Sequence, residues 1–164
     1  MKIAVVSDIH DNIWNLEKAL RRVRGCEVLI CCGDLCSPFV IDILAEGFQG
    51  PTHIVFGNND GDRYRLTLKA ARHPHLHLHG EFAELALGGK SFAVHHYDDV
   101  ARSLARGEVY DVVCFGHNHR YEVRRDGKTL LINPGEIMGG LSEGQVATLV
   151  VFDTESGEVE RIVL

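Results

Sequence analysis

The sequence predicts a mixed α/β fold in which helices cover either two sheets packed face to face or one large mixed sheet. Apolar runs rich in Val and Ile alternate with helix-like stretches over the first two-thirds of the chain, which favours parallel βαβ units. The last third holds strand-like runs separated by turns, a pattern typical of antiparallel hairpins. The chain has 164 residues, 45% of them hydrophobic, and we expect a single domain over residues 1–164.

The predicted elements can be justified in chain order. Five apolar runs are expected to be buried strands: Ile3–Val6, Val28–Cys32, His53–Phe56, Phe92–Val94 and Val112–Phe115. Helical spacing of apolar residues predicts a helix over Ile13–Val23, and Pro38 at a helix start predicts one over Phe39–Leu44. Two further candidate helices are Arg63–Ala71 and Val100–Arg106. The strands of the last third are Tyr121–Arg124, Thr129–Ile132, Val146–Phe152 and Val159–Val163. Turn sequences at Gly88-Gly89, Asp126-Gly127 and Ser156-Gly157 predict three hairpins.

Composition and charge exclude several classes of protein. The net charge of −6 is opposite to what bulk electrostatic binding to nucleic acid needs, so we expect no such binding. No apolar run is long enough for a membrane helix or a secretory signal, so we expect no membrane association. The five cysteines lack a CxxC pattern and are expected to be reduced, buried thiols, which indicates a cytoplasmic protein.

Polar residues with metal-binding side chains follow five of the predicted strands: Asp8, His10, Asp34, Asn58, His95, His96, His117 and His119. The carboxyl ends of strands in an α/β sheet converge on one crevice, so we expect these side chains to lie close together. Carboxylates, imidazoles and an amide oxygen suit borderline divalent ions better than Ca²⁺, which prefers an all-oxygen cage. The glycines directly before Asp34, Asn58 and His117 are expected to allow sharp turns of the backbone.

The ordered series resembles the motifs of the calcineurin-like metallophosphoesterases. It consists of Asp8-x-His10, Gly33-Asp34, Gly57-Asn58-Asn59-Asp60, His95 and Gly116-His117-Asn118-His119. The short chain and Asn133-Pro134-Gly135 resemble the small prokaryotic branch of YfcE-type phosphodiesterases. The resemblance implies a four-layer α/β/β/α sandwich of two mixed β-sheets flanked by helices, with the site at the strand ends.

The resemblance also implies a binuclear metal centre. One metal would be held by three ligands: Asp8, His10 and His119. The other would be held by three more: Asn58, His95 and His117. Asp34 would bridge the two ions. The implied cofactor is two divalent ions per chain, with Mn²⁺ as the expected metal and Ni²⁺, Fe²⁺, Zn²⁺ or Co²⁺ as alternatives.

The implied activity is that of a phosphoesterase, first of all a phosphodiesterase, acting on a small phosphate ester. In-line attack by a metal-bridging hydroxide would cleave the ester. A phosphomonoesterase and a two-metal hydrolase of another bond remain open. A non-catalytic interaction scaffold on the same fold, as in a retromer subunit, is the alternative of a different class, but all ligand positions are filled here. The sequence leaves a homodimer or homotetramer open.

Three residues beside the motifs are candidates for catalytic roles. Asn59 stands where many relatives carry histidine, and an amide is no general acid near pH 7, so good leaving groups should be favoured. His96 is a pocket candidate, and an exchange of roles with His95 stays open because relatives often have His-Gly-His here. Asp60 either orients a ligand histidine or caps the helix that begins at Arg63.

Two further features carry expectations. Glu136 follows Asn133-Pro134-Gly135, where relatives usually have serine, and is expected to lie near the pocket and weaken binding of dianionic monoesters. The densest histidine run, His73-Pro74-His75-Leu76-His77-Leu78-His79, is expected to be the solvated face of an edge strand. A metal-binding stripe formed by His75, His77 and His79 is the alternative.

Overall fold

The structure is a computed structural model that describes residues 1–140 and 146–164. Its strands are β1 Lys2–Val6, β2 Val28–Cys31, β3 Thr52–Ile54, β4 Leu76–Leu78, β5 Phe82–Leu87, β6 Lys90–His95, β7 Val112–Cys114, β8 Glu122–Asp126, β9 Thr129–Asn133, β10 Thr148–Asp153 and β11 Val159–Val163. Its helices are α1 Ile13–Arg22, α2 Phe39–Gly47, α3 Arg63–Ala70 and α4 Asp98–Arg106. Within the described ranges, no helix is long and apolar enough to cross a membrane.

The strands form two mixed sheets, which confirms the predicted sandwich. The first sheet, sheet A, has the order β11-β10-β1-β2-β3-β4, and its strands β1 to β4 are parallel. The second, sheet B, has the order β5-β6-β7-β9-β8, with β6, β7 and β9 parallel. The three predicted hairpins join β5 to β6, β8 to β9 and β10 to β11.

Three apolar clusters separate the four layers. The first packs α1, α2 and α3 against sheet A through residues such as Leu16, Leu44 and Leu66. The second fills the space between the sheets, where Phe92 of sheet B contacts Phe152 of sheet A. The third packs α4 against the outer face of sheet B. Fully buried strands of Val and Ile are what sheets covered on both faces require.

Local details differ from the predicted boundaries. Helix α4 begins at Asp98 instead of Val100, because two aspartates in its first turn favour the positive end of the helix dipole. The edge strand β4 spans only Leu76–Leu78. The alternating histidine run, residues 73–79, therefore lies mostly outside the strand. The loops after β1 and β2 are tied together, since the Ile9 and His10 N–H groups both donate to the Asp34 carbonyl at 3.0 Å.

Candidate metal centre

One group of candidate ligands comes from the loop after β1 and the loop after β7. Asp8 is fully buried, and His119 Nε2 lies 3.4 Å from its Oδ1 atom. His10 Nε2 lies 3.8 Å from the same oxygen. The ligand atoms of Asp8, His10 and His119 all lie within 4.8 Å of one another, close enough for one cation to contact all three.

A second group lies on the other side of Asp34. Asn58 Oδ1 lies 2.9 Å from His96 Nε2 and 2.8 Å from His117 Nδ1. Asp34 Oδ2 lies 3.4 Å from His96 Nε2 and 3.5 Å from His10 Nε2. A single carboxylate oxygen therefore faces both groups, which is the position that a bridging ligand must occupy.

The structure places His96 in this cluster and leaves His95 outside it. His95 is half-buried beside Phe82 and Tyr97, and its Nδ1 accepts the Tyr97 N–H at 3.1 Å. His96 is fully buried, and its Nδ1 donates to the Cys32 carbonyl at 2.8 Å, which leaves Nε2 directed at Asp34. Side chains alternate along β6, so consecutive histidines at its end point to opposite sides. On this geometry His96, in place of His95, is the candidate ligand.

Asn59 and Asp60 both act on Asp34. The Asn59 N–H and Nδ2 groups donate to the two carboxylate oxygens of Asp34, each at 2.8 Å. Asp60 accepts the N–H groups of Gly57, Cys36 and Asp34 at 2.7, 2.8 and 3.1 Å. Neither role expected of Asp60 is correct, because it holds loop backbone and contacts no ligand histidine. The N-cap of α3 is Asp62, which accepts the Arg65 N–H at 3.0 Å.

The glycines before the candidate ligands are explained better by close packing of the loops than by sharp turns of the backbone. Gly33 has a φ of +103° and fits the expected sharp turn. Gly57 and Gly116 do not have positive φ; instead, a Cβ on Gly57 would collide with Asp34, and one on Gly116 would collide with Ser7 and Asp8. Among the described residues, eight non-glycine positions have positive φ, a strained conformation that surrounding structure must hold in place, and five of them are candidate ligands: Asp8, His10, Asp34, His117 and His119.

Carboxylates and imidazoles of the cluster stabilise one another's charged forms. The Asp8 carboxylate, and then the Cys36 thiol, raise the pKa of His10 to about 10. Burial opposes ionisation of Asp34, but hydrogen bonds from His96 and Asn59 outweigh it and hold the pKa of Asp34 well below its ordinary value. Burial likewise lowers the pKa of His96, yet Asp34 reverses the sign and raises it.

Unsatisfied polar atoms show that this donor set fits a divalent cation. Buried side-chain atoms without a hydrogen-bond partner among the described residues gather at this site: Ser7 Oγ, Asp8 Oδ1, His10 Nε2 and Glu136 Oε1. Buried polar groups without partners are rare, and a cation would satisfy the two atoms that belong to candidate ligands, Asp8 Oδ1 and His10 Nε2. Carboxylate oxygens mixed with imidazole nitrogens suit borderline divalent ions.

Two residues that support the ligands were missed or misplaced from the sequence. Glu136 is fully buried and lies near the pocket, where its Oε2 contacts Nδ1 of the candidate ligand His119, a contact that the sequence did not indicate. Cys36 was grouped with the core thiols, but its Sγ lies 3.6 Å from His10 Nδ1. A metal-bound histidine usually has a hydrogen-bond partner on its other ring nitrogen. A search for such partners would have pointed to Glu136 and Cys36.

Comparison with known proteins decides the family. Residues 1–157 match the family model described as the calcineurin-like phosphoesterase superfamily domain. The chain belongs to the calcineurin-like phosphoesterase superfamily. This calcineurin-like phosphoesterase is 33% identical over 168 residues to a phosphodiesterase of Methanocaldococcus jannaschii, an alignment that covers 100% of this chain and 99% of that relative. The resemblance noted in the sequence is confirmed.

Solved structures give the same result. The structure of a novel archaeal phosphodiesterase has a TM-score of 0.92 and 31% identity to this calcineurin-like phosphoesterase, and the match covers 100% of each chain. YfcE, a phosphoesterase from E. coli, has a TM-score of 0.70 at 18% identity, over 99% of this chain and 98% of YfcE. A Vps29 mutant from Entamoeba histolytica has a TM-score of 0.68 at 18% identity, over 100% of this chain and 99% of Vps29. The last two share the fold, whereas the family and the closer relatives identify the chain as a phosphoric ester hydrolase.

Proposed function

We propose that the protein is a two-metal phosphodiesterase. The observation that carries this proposal is the position of Asp34 Oδ2, 3.5 Å from His10 Nε2 and 3.4 Å from His96 Nε2, between two groups of donors. In this proposal the ligands of the first ion are Asp8, His10 and His119. Those of the second ion are Asn58, His96 and His117.

The chemistry follows from this placement. When bound, two divalent ions activate a water for in-line attack on phosphorus and neutralise the charge that develops on the phosphoryl oxygens. Asp8 and Asp34 contribute two negative charges to the site, so its net charge with two ions is positive and attracts a phosphate ester despite the net charge of −6. We propose Mn²⁺ as the metal.

Asn59 bears on the choice of substrate. Its backbone N–H and one N–H of its side-chain amide orient the Asp34 carboxylate, and an amide is no general acid near pH 7. Esters whose leaving group departs without protonation should therefore react fastest. The relative from Methanocaldococcus jannaschii is a phosphodiesterase, which supports a diester over a monoester as the substrate.

The test is a metal and activity assay on the untagged protein. We expect two Mn²⁺ per chain and Mn²⁺-dependent hydrolysis of bis(p-nitrophenyl) phosphate that exceeds hydrolysis of p-nitrophenyl phosphate. Asp34→Asn should abolish turnover. Faster hydrolysis of the monoester would contradict the diester assignment. Two bound ions without turnover of either ester would favour the interaction scaffold, an alternative that the Vps29-like fold supports.

Substitution of His95 and of His96 in turn tests which of the two histidines is the metal ligand. His96→Ala removes a buried donor that faces Asp34 and should lower turnover at least 100-fold together with loss of one Mn²⁺ per chain. His95→Ala removes an imidazole outside the cluster and should retain both ions and most of the activity. The reverse pattern would restore the assignment of His95.

A further inference from the structure

The edge of sheet A holds a histidine cluster that is separate from the proposed metal centre. His53 lies on β3, and its partner in the parallel register of β4 is His77. His79 follows β4, and its backbone N–H donates to the Ile54 carbonyl at 2.9 Å. The sequence alone groups His77 and His79 with the histidine run, but only the sheet brings His53 to them.

The three rings are arranged around one pair of nitrogens. His53 Nδ1 and His79 Nε2 lie 3.0 Å apart. The His53 ring stacks on the rings of His77 and His79, with centroids 5.1 and 5.2 Å away. His53 is half-buried, whereas His77 and His79 are exposed, so the pair is open to solvent on one side.

The surroundings of His53 and His79 favour the unprotonated imidazole. Burial, followed by the proximity of His79 and His77, lowers the pKa of His53 to about 4. Burial and His77 also lower the pKa of His79. Among the described residues, no carboxylate forms an ion pair with any of the three. At neutral pH His53 and His79 therefore offer unprotonated nitrogens, the form that binds metals.

The other histidines of the run belong elsewhere. His75 Nε2 contacts the Ala45 carbonyl of α2 at 3.1 Å. His73 Nε2 lies 3.6 Å from Asp42 Oδ1, also on α2. The stripe of His75, His77 and His79 that alternation suggests is therefore not formed, and the cluster consists of His53, His77 and His79.

We propose that His53 and His79 bind one borderline divalent transition ion, with Ni²⁺ or Cu²⁺ as the best fit. Two imidazole nitrogens at about 2.1 Å from an ion, in adjacent positions of a square-planar or octahedral site, are about 3.0 Å apart. A tetrahedral site would need about 3.4 Å. Without an ion, one ring donates a hydrogen bond to the other, so binding replaces that shared proton. Water completes the coordination of the ion.

The ion would join the short edge strand β4 to β3. Strand β4 spans only Leu76–Leu78 and has a neighbour on one side alone, so it is the less restrained partner. An ion that binds both His53 and His79 in the folded state, and not in the unfolded chain, stabilises the fold by mass action. Metal binding at this edge should therefore appear in unfolding experiments as well as in binding experiments.

The experiment separates this site from the proposed two-metal centre. An untagged Asp8→Asn/Asp34→Asn background lacks the buried carboxylates of that centre. We expect this protein to bind Ni²⁺ at the edge, and His53→Ala/His79→Ala in the same background to weaken that binding at least tenfold. The control is His73→Ala/His75→Ala, which removes two imidazoles from the same run without touching the cluster. It should bind Ni²⁺ as the background does.

Each outcome decides the proposal. Equal loss of Ni²⁺ binding in the two double variants, or no loss in His53→Ala/His79→Ala, would overturn it. Absence of Ni²⁺ binding in the background would overturn it too. His79 is exposed, so the single variant His79→Ala keeps the test valid if the His53 change prevents folding. Electron paramagnetic resonance with Cu²⁺ should show nitrogen ligation in the background that His79→Ala weakens, whichever result the phosphodiesterase assay gives.

Discussion

At the residue scale, three of the candidate histidines have a protein partner on the second ring nitrogen, and these partners position the rings. His96 Nδ1 donates to the Cys32 carbonyl, His119 Nδ1 contacts Glu136, and His10 Nδ1 faces the Cys36 thiol. These partners fix the rotation of each ring and direct Nε2 toward the carboxylates. Contacts within the protein therefore hold the candidate ligand atoms in position. The partner residues matter to this arrangement as much as the ligands do.

Glu136 gives the first prediction at this scale. Glu136→Gln keeps the shape of the side chain but removes the charge that holds His119, so we expect Mn²⁺ affinity to fall about 10- to 100-fold. Isothermal titration of the metal-free protein measures this loss. Glu160→Gln makes the same charge change at an exposed position of β11 and serves as the control. Equal affinities in the two variants would show that Glu136 does not support the site.

At the scale of the elements, the loops after β2 and β3 must pack closely against each other for Asp34 to occupy the bridging position. A Cβ at Gly57 would collide with the side chain and backbone of Asp34, whereas one at Gly61 would meet nothing within 4 Å. Gly57→Ala should therefore lower Mn²⁺ affinity at least tenfold and reduce turnover in parallel. Gly61→Ala, four residues along the same loop, should leave affinity and turnover unchanged. A normal metal centre in Gly57→Ala would contradict this packing.

The pairing of α4 with β8 gives a prediction about pH. Arg102 binds Glu122 through two hydrogen bonds of 3.0 and 2.6 Å, and this contact holds the pKa of Glu122 below its ordinary value of 4.5. A lowered carboxyl pKa contributes stability that is complete above pH 4.5 and is lost as the pH falls through the folded value. Glu122→Gln should thus cost about 1 kcal/mol at pH 7 and progressively less below pH 4.5. Urea unfolding at pH 7 and pH 3.5 measures the difference, and a cost that is independent of pH would contradict the assignment.

The elements also show what the sequence can predict. Buried strands such as Ile3–Val6 and the glycine turns of the hairpins have strong local signals, because periodicity and turn chemistry act within a few residues. The roles of His95 and His96 depend on which face of β6 meets Asp34, and the contact between His53 and His79 depends on the register of β3 and β4. These are long-range consequences of sheet packing, and no local pattern contains them.

At the scale of the whole molecule, the proposed centre connects the two sheets. Its residues from sheet A follow β1, β2 and β3: Asp8, His10, Asp34 and Asn58. Those from sheet B follow β6 and β7: His96, His117 and His119. Direct contacts already join the halves, since the His117 N–H donates to Asp8 Oδ2 at 3.1 Å. An ion held by ligands of both sheets would oppose their separation on unfolding.

This connection predicts that the metal stabilises the entire fold. Mn²⁺ at about 100 times its dissociation constant should add about 2.7 kcal/mol to the free energy of unfolding, which corresponds to a rise of about 5–10 °C in melting temperature. Chelation with EDTA should reverse the rise. Ca²⁺ at the same concentration is the control for bulk charge, because it prefers an all-oxygen cage and should produce a much smaller change. His96→Ala should lose most of the Mn²⁺ effect, while His95→Ala should retain it, since His96 of sheet B lies in one ligand group with Asp8 and Asp34 of sheet A. An equal shift with Ca²⁺, or an unchanged shift in His96→Ala, would mean that the ion does not link the sheets through this site.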